Sequence, residues 1–175
     1  KQKPDFKNLG FGKYFTDHML YMEYVDGKWG EVEIRPFSDI AVNPASVVFH
    51  YGQEIFEGMK AYKNTDGKIT MFRPRDNILR MNRSAKRLCM AELPVDEVLE
   101  GIFELVRIER DWIPTDPGTS LYIRPTMIAN ENFLGVHPSK KYIFFVILSP
   151  VGSYYAHGLE PTRIYVEDVF NRAAL

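Results

Sequence analysis

The sequence predicts an α+β fold in which helices lie on an antiparallel or mixed sheet. Three observations lead there. Strand-like runs flank two helical segments, so the order is strands, two helices, strands, and not a regular alternation. The apolar period switches from two to about 3.6 between Arg75 and Val106. Turn signals fall inside the strand regions, as hairpins require.

The elements follow in chain order. "HMLYMEYVDGKWGEVEIRPF" reads as a hairpin around "DGK". "SDIAVNPASVVFHYG" carries Pro44 and mixed signals, and reads as turns and short pieces. "IFEGMKAYKNTDGKITMFRP" reads as a second hairpin turning at "NTDG". In its first half, alternation puts Phe56, Gly58 and Lys60 on one face and Glu57, Met59 and Ala61 on the other. In "RDNILRMNRSAKRL", Ile78, Met81, Ala85 and Leu88 recur at helical spacing. A second helix opens at Pro94, with Asp96 and Glu97 in its first turn, and ends before Pro114. Val95, Val98, Leu99, Ile102 and Val106 form its apolar stripe. "TSLYIRPTMIA" and "KYIFFVILSP" return to strands, and "TRIYVEDVF" reads as the start of another. The expected division is a domain over 1–151, a connecting loop over 152–162 and the beginning of a second domain over 163–175.

Composition narrows the function. Hydrophobic residues make up 45% and charged residues 26%, a globular balance. The net charge of -1 offers no electrostatic footprint for nucleic acid or an anionic membrane. The longest purely apolar run, "IFFVIL", is far short of a membrane span. One cysteine, Cys89, allows no intrachain disulfide. With no visible signal peptide, the cytoplasm is the expected compartment, an organelle not being excluded. His18, His50, His137 and His157 lack ligand-pair spacing, so no metal site is expected.

Several residues could carry chemistry. Arg80, Arg83 and Arg87 fall opposite the apolar stripe of the first helix, as a solvated basic face or as a clamp for phosphate. In "SLYIRP", Tyr122 and Arg124 share a strand face, where a tyrosine and a guanidinium can receive a carboxylate. Leu134 and Val136 flank Gly135 in a loop, and the pattern favours their tucking into the local core. Phe11, Tyr51 and Tyr154 read individually as core aromatics whose hydroxyls, where present, need partners. Lys60 lies in an apolar, aromatic stretch, but no second cation or burial pattern marks it as an activated amine. It reads as a strand residue with its ammonium toward solvent or an acid.

Together, "FGKYFTDHML", "HYGQEIFEGMKAY", "FRPRDNILRMNRSAKRL", "SLYIRP", "NENFLGV" and "SPVGSYY" resemble the branched-chain amino acid aminotransferases. These are class IV, fold-type IV enzymes that use pyridoxal 5'-phosphate (PLP). The resemblance runs from about Phe11 to Ala173. It implies the N-terminal small domain of that fold, the interdomain loop and the first strand of the large domain. It also implies amino transfer from Leu, Ile or Val to 2-oxoglutarate, within a homodimer. Arg80 matches the arginine on the PLP phosphate, while Arg83 and Arg87 keep the solvated reading. Tyr122 and Arg124 match the pair lining the substrate site, with Arg124 taking the distal carboxylate of glutamate. Phe11, Tyr51 and Tyr154 match its aromatic walls. Val136, beside Leu134, matches a loop reaching the partner subunit's active site. The family's Schiff-base lysine falls beyond Leu175, so no catalytic residue is assigned within these residues, and they are expected to be inactive alone. Two alternatives stay open: a non-catalytic fragment or dimerisation module, and another class IV enzyme such as a D-amino acid aminotransferase or aminodeoxychorismate lyase.

Overall fold

A computed structural model describes residues 2–153 and 160–170. Among these, eight strands form one sheet in the order β2-β1-β8-β7-β5-β6, with β3 also beside β1 and β4 beside β7. Every pairing is antiparallel, which decides between the antiparallel and mixed alternatives.

The first hairpin joins β1 (His18–Val25) to β2 (Lys28–Trp29). Asp26 and Gly27 both take positive φ, 54° and 83°, as a two-residue primed turn demands. β3 (Glu33–Pro36) then pairs back on β1. Residues 38–52 contain a helix that the sequence pattern left as turns, α1 (Val47–Tyr51). Its signal is local: Ser46 precedes it, and Gly52 closes it in the left-handed region, donating its N–H to Val48 O at 3.1 Å.

The expected second hairpin is divided into β4 (Glu54–Phe56) and β5 (Met59–Lys63), which turns into β6 (Ile69–Met71). Both β4 and β5 pair with β7 (Ser120–Ala129) in one register, Phe56 opposite Thr126 and Met59 opposite Ile123. Glu57 therefore falls opposite Pro125, and donates its N–H to the Pro125 carbonyl at 2.9 Å. Proline has no N–H to return, so the ladder is interrupted at Glu57–Gly58. β8 (Tyr142–Val151) pairs with β7 along its whole length and with β1 on its other side.

One sheet face is covered by α2 (Pro74–Arg87) and α3 (Val95–Ile108). Ile78, Met81 and Ala85 of α2, and Val98, Ile102 and Leu105 of α3, are fully buried against Leu121, Ile123, Met127, Phe144 and Val146. The two helices are tied by Asn82, which donates to Leu93 O at 2.9 Å and accepts from Leu93 N–H at 2.7 Å. A buried amide with both ends satisfied fixes the α2–α3 connection at little net cost. The opposite sheet face carries a smaller cluster of Met19, Tyr21 and Ile143, with Phe37, Ile128, Phe145 and Ile147 at its margin.

The strand expected over "TRIYVEDVF" is not formed. Residues 161–167 have no regular structure, and Ile164, Tyr165, Val166 and Phe170 are exposed. Alternating apolar residues make a strand only when a neighbouring strand takes their backbone hydrogen bonds, and none of the described strands lies beside them. No helix among the described residues is long and apolar enough to cross a membrane.

Candidate functional site

The open face of the sheet brings together four of the residues singled out in the sequence, Phe11, Lys60, Tyr122 and Arg124. The β5–β7 register sets Lys60 opposite Tyr122, and continues to Gly58 opposite Arg124. Arg124 donates from Nε and Nη2 to the Tyr122 hydroxyl oxygen, at 3.1 and 2.8 Å. Its guanidinium carbon lies 4.3 Å from the centroid of the Phe56 ring. The Phe11 ring packs on Tyr122 with centroids 5.0 Å apart. Both lone pairs of the Tyr122 oxygen are thus engaged by Arg124, and its own hydrogen is available to donate. Arg124 keeps three further N–H groups. The pair is a concentrated set of donors between aromatic rings, suited to a carboxylate that ends an otherwise apolar side chain.

Gly58 makes this arrangement possible. A Cβ built on it would lie 2.4 Å from the Tyr122 oxygen and 3.1 Å from the ring carbon bearing it. Tyr122 reaches diagonally across the strand into the space that a side chain would fill. Lys60 is half-buried on this same face. The alternation read from the sequence holds: Glu57, Met59 and Ala61 are buried on the helix side, and Phe56 is exposed on the other.

Arg80 lies on the helix side of the same peptide. Its Nε donates to Glu57 Oε1 at 2.5 Å and its Nη2 to Glu57 Oε2 at 2.6 Å. Glu57 is only 6% exposed, whereas the Arg80 side chain is 58% exposed. Asn77 Nδ2 donates to Glu57 Oε2 and to the Gly58 carbonyl, each at 3.2 Å, and the Gly58 N–H reaches Glu57 Oε2 at 3.1 Å. Burial pushes the Glu57 carboxyl upward, but the hydrogen bonds from Arg80, Asn77 and Gly58 outweigh it and hold it below the ordinary carboxylate range. Arg80, Arg73, Arg83, Phe72, Asp76 and Asn77 line one open basin. Arg73 is paired with Asp76 at 2.5 Å.

The remaining sequence candidates sit elsewhere. Tyr51 donates its hydroxyl to Leu134 O at 2.5 Å, which joins α1 to the 131–138 loop. Leu134 and Val136 do not tuck into the local core, contrary to the pattern reading: they are 63% and 89% exposed. Phe133 is the residue that packs inward, its ring lying 4.1 Å from that of His137. A Cβ on Gly135 would strike the Phe133 ring at 2.1 Å, so the loop folds around Phe133 and turns its neighbours outward. Tyr154 lies outside the described residues. Among the described residues no cluster of His, Cys, Asp or Glu could hold a metal ion.

Two site residues escaped the sequence reading: Glu57 as the partner of Arg80, and Gly58 as the seat of Tyr122. Alternation did turn Glu57 away from Lys60. What it could not show is that α2 brings Arg80 to the level of Glu57.

No family model matches the chain. The chain is 52% identical over 175 residues to branched-chain-amino-acid transaminase 1 of Bacillus subtilis (strain 168), covering 99% of itself and 49% of that protein. It is 51% identical, with the same coverages, to the probable branched-chain-amino-acid aminotransferase of Staphylococcus aureus (strain N315). Among solved structures, the branched-chain amino acid aminotransferase from Escherichia coli superposes with a TM-score of 0.56 at 27% identity, over 78% of this chain and 41% of that one. The branched-chain amino acid aminotransferase of T.th. with pyridoxamine 5'-phosphate gives 0.52 at 26%, over 81% and 43%. The resemblance to branched-chain aminotransferases stands, and the chain spans about half the length of the curated relatives it matches.

Proposed function

We propose that this chain is the N-terminal part of a branched-chain amino acid aminotransferase. In that reading, residues 1–151 are its small domain, 152–162 its interdomain loop and 163–175 the start of its PLP-binding domain. The observation that carries the reading is the 52% identity sustained over 99% of the chain.

The side chains present suit a phosphate ester and a carboxylate. Arg80 has its end-on pair of N–H groups clear of Glu57, in a basin shared with Arg83, so it would hold the PLP phosphate. Another structure of the T.th. aminotransferase is complexed with N-(5'-phosphopyridoxyl)-L-glutamate, which supports a phosphorylated pyridoxal and a dicarboxylate on this fold. PLP, when bound, supplies an electron sink for the amino transfer. The protein orients and sorts the substrates. The aliphatic side chains of Leu, Ile and Val pack on Phe11, Tyr122 and Phe56, and the family resemblance alone assigns Tyr51 and Tyr154 to further walls. The distal carboxylate of glutamate turns to Arg124 and the Tyr122 hydroxyl. Without those donors the second carboxylate would be buried unpaired, at a cost of several kcal/mol. The exposure of Leu134 and Val136 supports their lending to a second copy, and hence a homodimer.

The test is the complete protein assayed with Leu, Ile, Val and D-Ala as donors to 2-oxoglutarate. Turnover with the branched-chain donors is expected. D-Ala active and Leu inactive would instead assign a D-amino acid aminotransferase.

Gly58→Ala probes the seat of Tyr122. Its methyl group cannot coexist with the Tyr122 hydroxyl where it stands, so the ring and Arg124 must shift together. A displacement of about 1 Å is expected to lower kcat/KM for glutamate by roughly 10- to 100-fold. The urea midpoint should move little, because Gly58 lies on the open face. Unchanged glutamate kinetics would show that the Tyr122–Arg124 geometry is not what receives the carboxylate.

A further inference from the structure

We propose that Glu57 is a positioning residue for Arg80, fixing the guanidinium so that its outer edge meets the phosphate of PLP. The inference rests on the cofactor reading above and goes further, to the residue that aims the clamp.

A guanidinium can form two-point bonds along its side, from Nε and one Nη, or along its end, from both Nη groups. Glu57 takes the side edge, with both of its oxygens engaged. The end edge, carrying one hydrogen of Nη1 and the remaining one of Nη2, is left directed away from Glu57. Glu57 is itself held, buried on the helix side of the β4–β5 break and bonded by Asn77 and the Gly58 N–H. The aim of Arg80 is therefore set by the sheet and not by its own long and mostly exposed side chain.

Two effects oppose each other. The Glu57 carboxylate cancels part of the positive charge that attracts a phosphate. It also removes the rotamer freedom that Arg80 would otherwise lose on binding. Arg80 stands in solvent, where charge cancellation is screened, whereas the orientation persists. Orientation wins, and Glu57 strengthens binding despite its sign. The break in the ladder serves the same end. Pro125 cannot return a bond at Glu57, so the Glu57–Gly58 peptide sits between the phosphate clamp on one face and the seat of Tyr122 on the other.

The experiment titrates the complete apoprotein with PLP and with pyridoxal, which lacks the phosphate, by calorimetry. The proteins are wild type, Glu57→Gln, Arg80→Ala and the double variant. Glu57→Gln is expected to weaken PLP about 5- to 20-fold, because a misaimed guanidinium gives up part of its charge-assisted bonding to the phosphate. Pyridoxal affinity should stay within about twofold, because it has no phosphate for Arg80 to hold. The double variant should bind PLP no more weakly than Arg80→Ala alone, since Glu57 acts through Arg80. Equal losses for PLP and pyridoxal would make Glu57 a general structural residue and overturn the proposal. So would a Glu57→Gln protein that binds PLP like wild type while Arg80→Ala does not. A wild-type protein that fails to prefer PLP over pyridoxal would overturn the cofactor reading as well. Should Glu57→Gln not fold, Asn77→Ala loosens the same carboxylate from the other side. It is expected to weaken PLP about two- to fivefold with pyridoxal unchanged, and equal losses would again refute the proposal.

Discussion

Replacing Arg124 by leucine in the complete protein is expected to lower kcat/KM for glutamate by about 100-fold or more, while kcat/KM for leucine changes less than about fivefold. On the proposed function, the asymmetry comes from what each substrate would place beside Tyr122. A carboxylate there meets the remaining N–H groups of Arg124 and the Tyr122 hydrogen. Loss of a charged partner in a partly apolar site costs roughly 3 kcal/mol, which is two powers of ten. An aliphatic side chain loses nothing of that kind, and gains apolar surface from the new leucine. Arg124 also holds the Tyr122 oxygen at 2.8 and 3.1 Å and lies over Phe56. A small loss for leucine through looser packing is therefore expected too. The measurement is steady-state kinetics of each half-reaction under matched conditions. Equal loss for both substrates would show that Arg124 supports the fold and does not sort the substrates.

Phe144→Ala is expected to cost about 3–5 kcal/mol of stability, the range for deleting a buried aromatic ring. Phe144 is fully buried in β8, opposite Met22 of β1 and Met127 of β7. The Trp29 ring lies edge-on at 6.4 Å. Its neighbours belong to strands tied on both sides, so the sheet cannot close over the void and the cavity term adds to the lost transfer energy. Urea denaturation should show a lower midpoint with an unchanged slope. A loss below about 1 kcal/mol would mean that the methionines on either side refill the space, as flexible thioethers can.

Much of the fold is legible along the chain because its signals are local. The Asp26–Gly27 turn, the α2 and α3 stripes and the ten-residue alternation of β7 each depend on neighbours within a few positions. The helix α1 went unread because five residues give too little period to recognise, although Ser46 and Gly52 bracket it. The apolar alternation of "TRIYVEDVF" expresses a strand preference, whereas a strand also needs a partner. The site divides in the same way. Tyr122 and Arg124 lie two positions apart on one strand, so their meeting follows from the pleat.

By itself, then, the sequence determined the α+β class, the order of the elements and which faces of each are apolar, for these are written in spacings of two to four residues. It also carried a likeness to branched-chain aminotransferases that the comparisons with known proteins bear out. Only the tertiary structure decided that Glu57 belongs to Arg80, 23 positions away, and that Gly58 is empty so that Tyr122 can lie across it. Only there did Leu134 and Val136 turn outward, because Phe133 took the inward place. The physical reason is common to all three. A side chain's direction follows from its own backbone, but what it meets depends on strand register and helix placement, which the whole core settles at once.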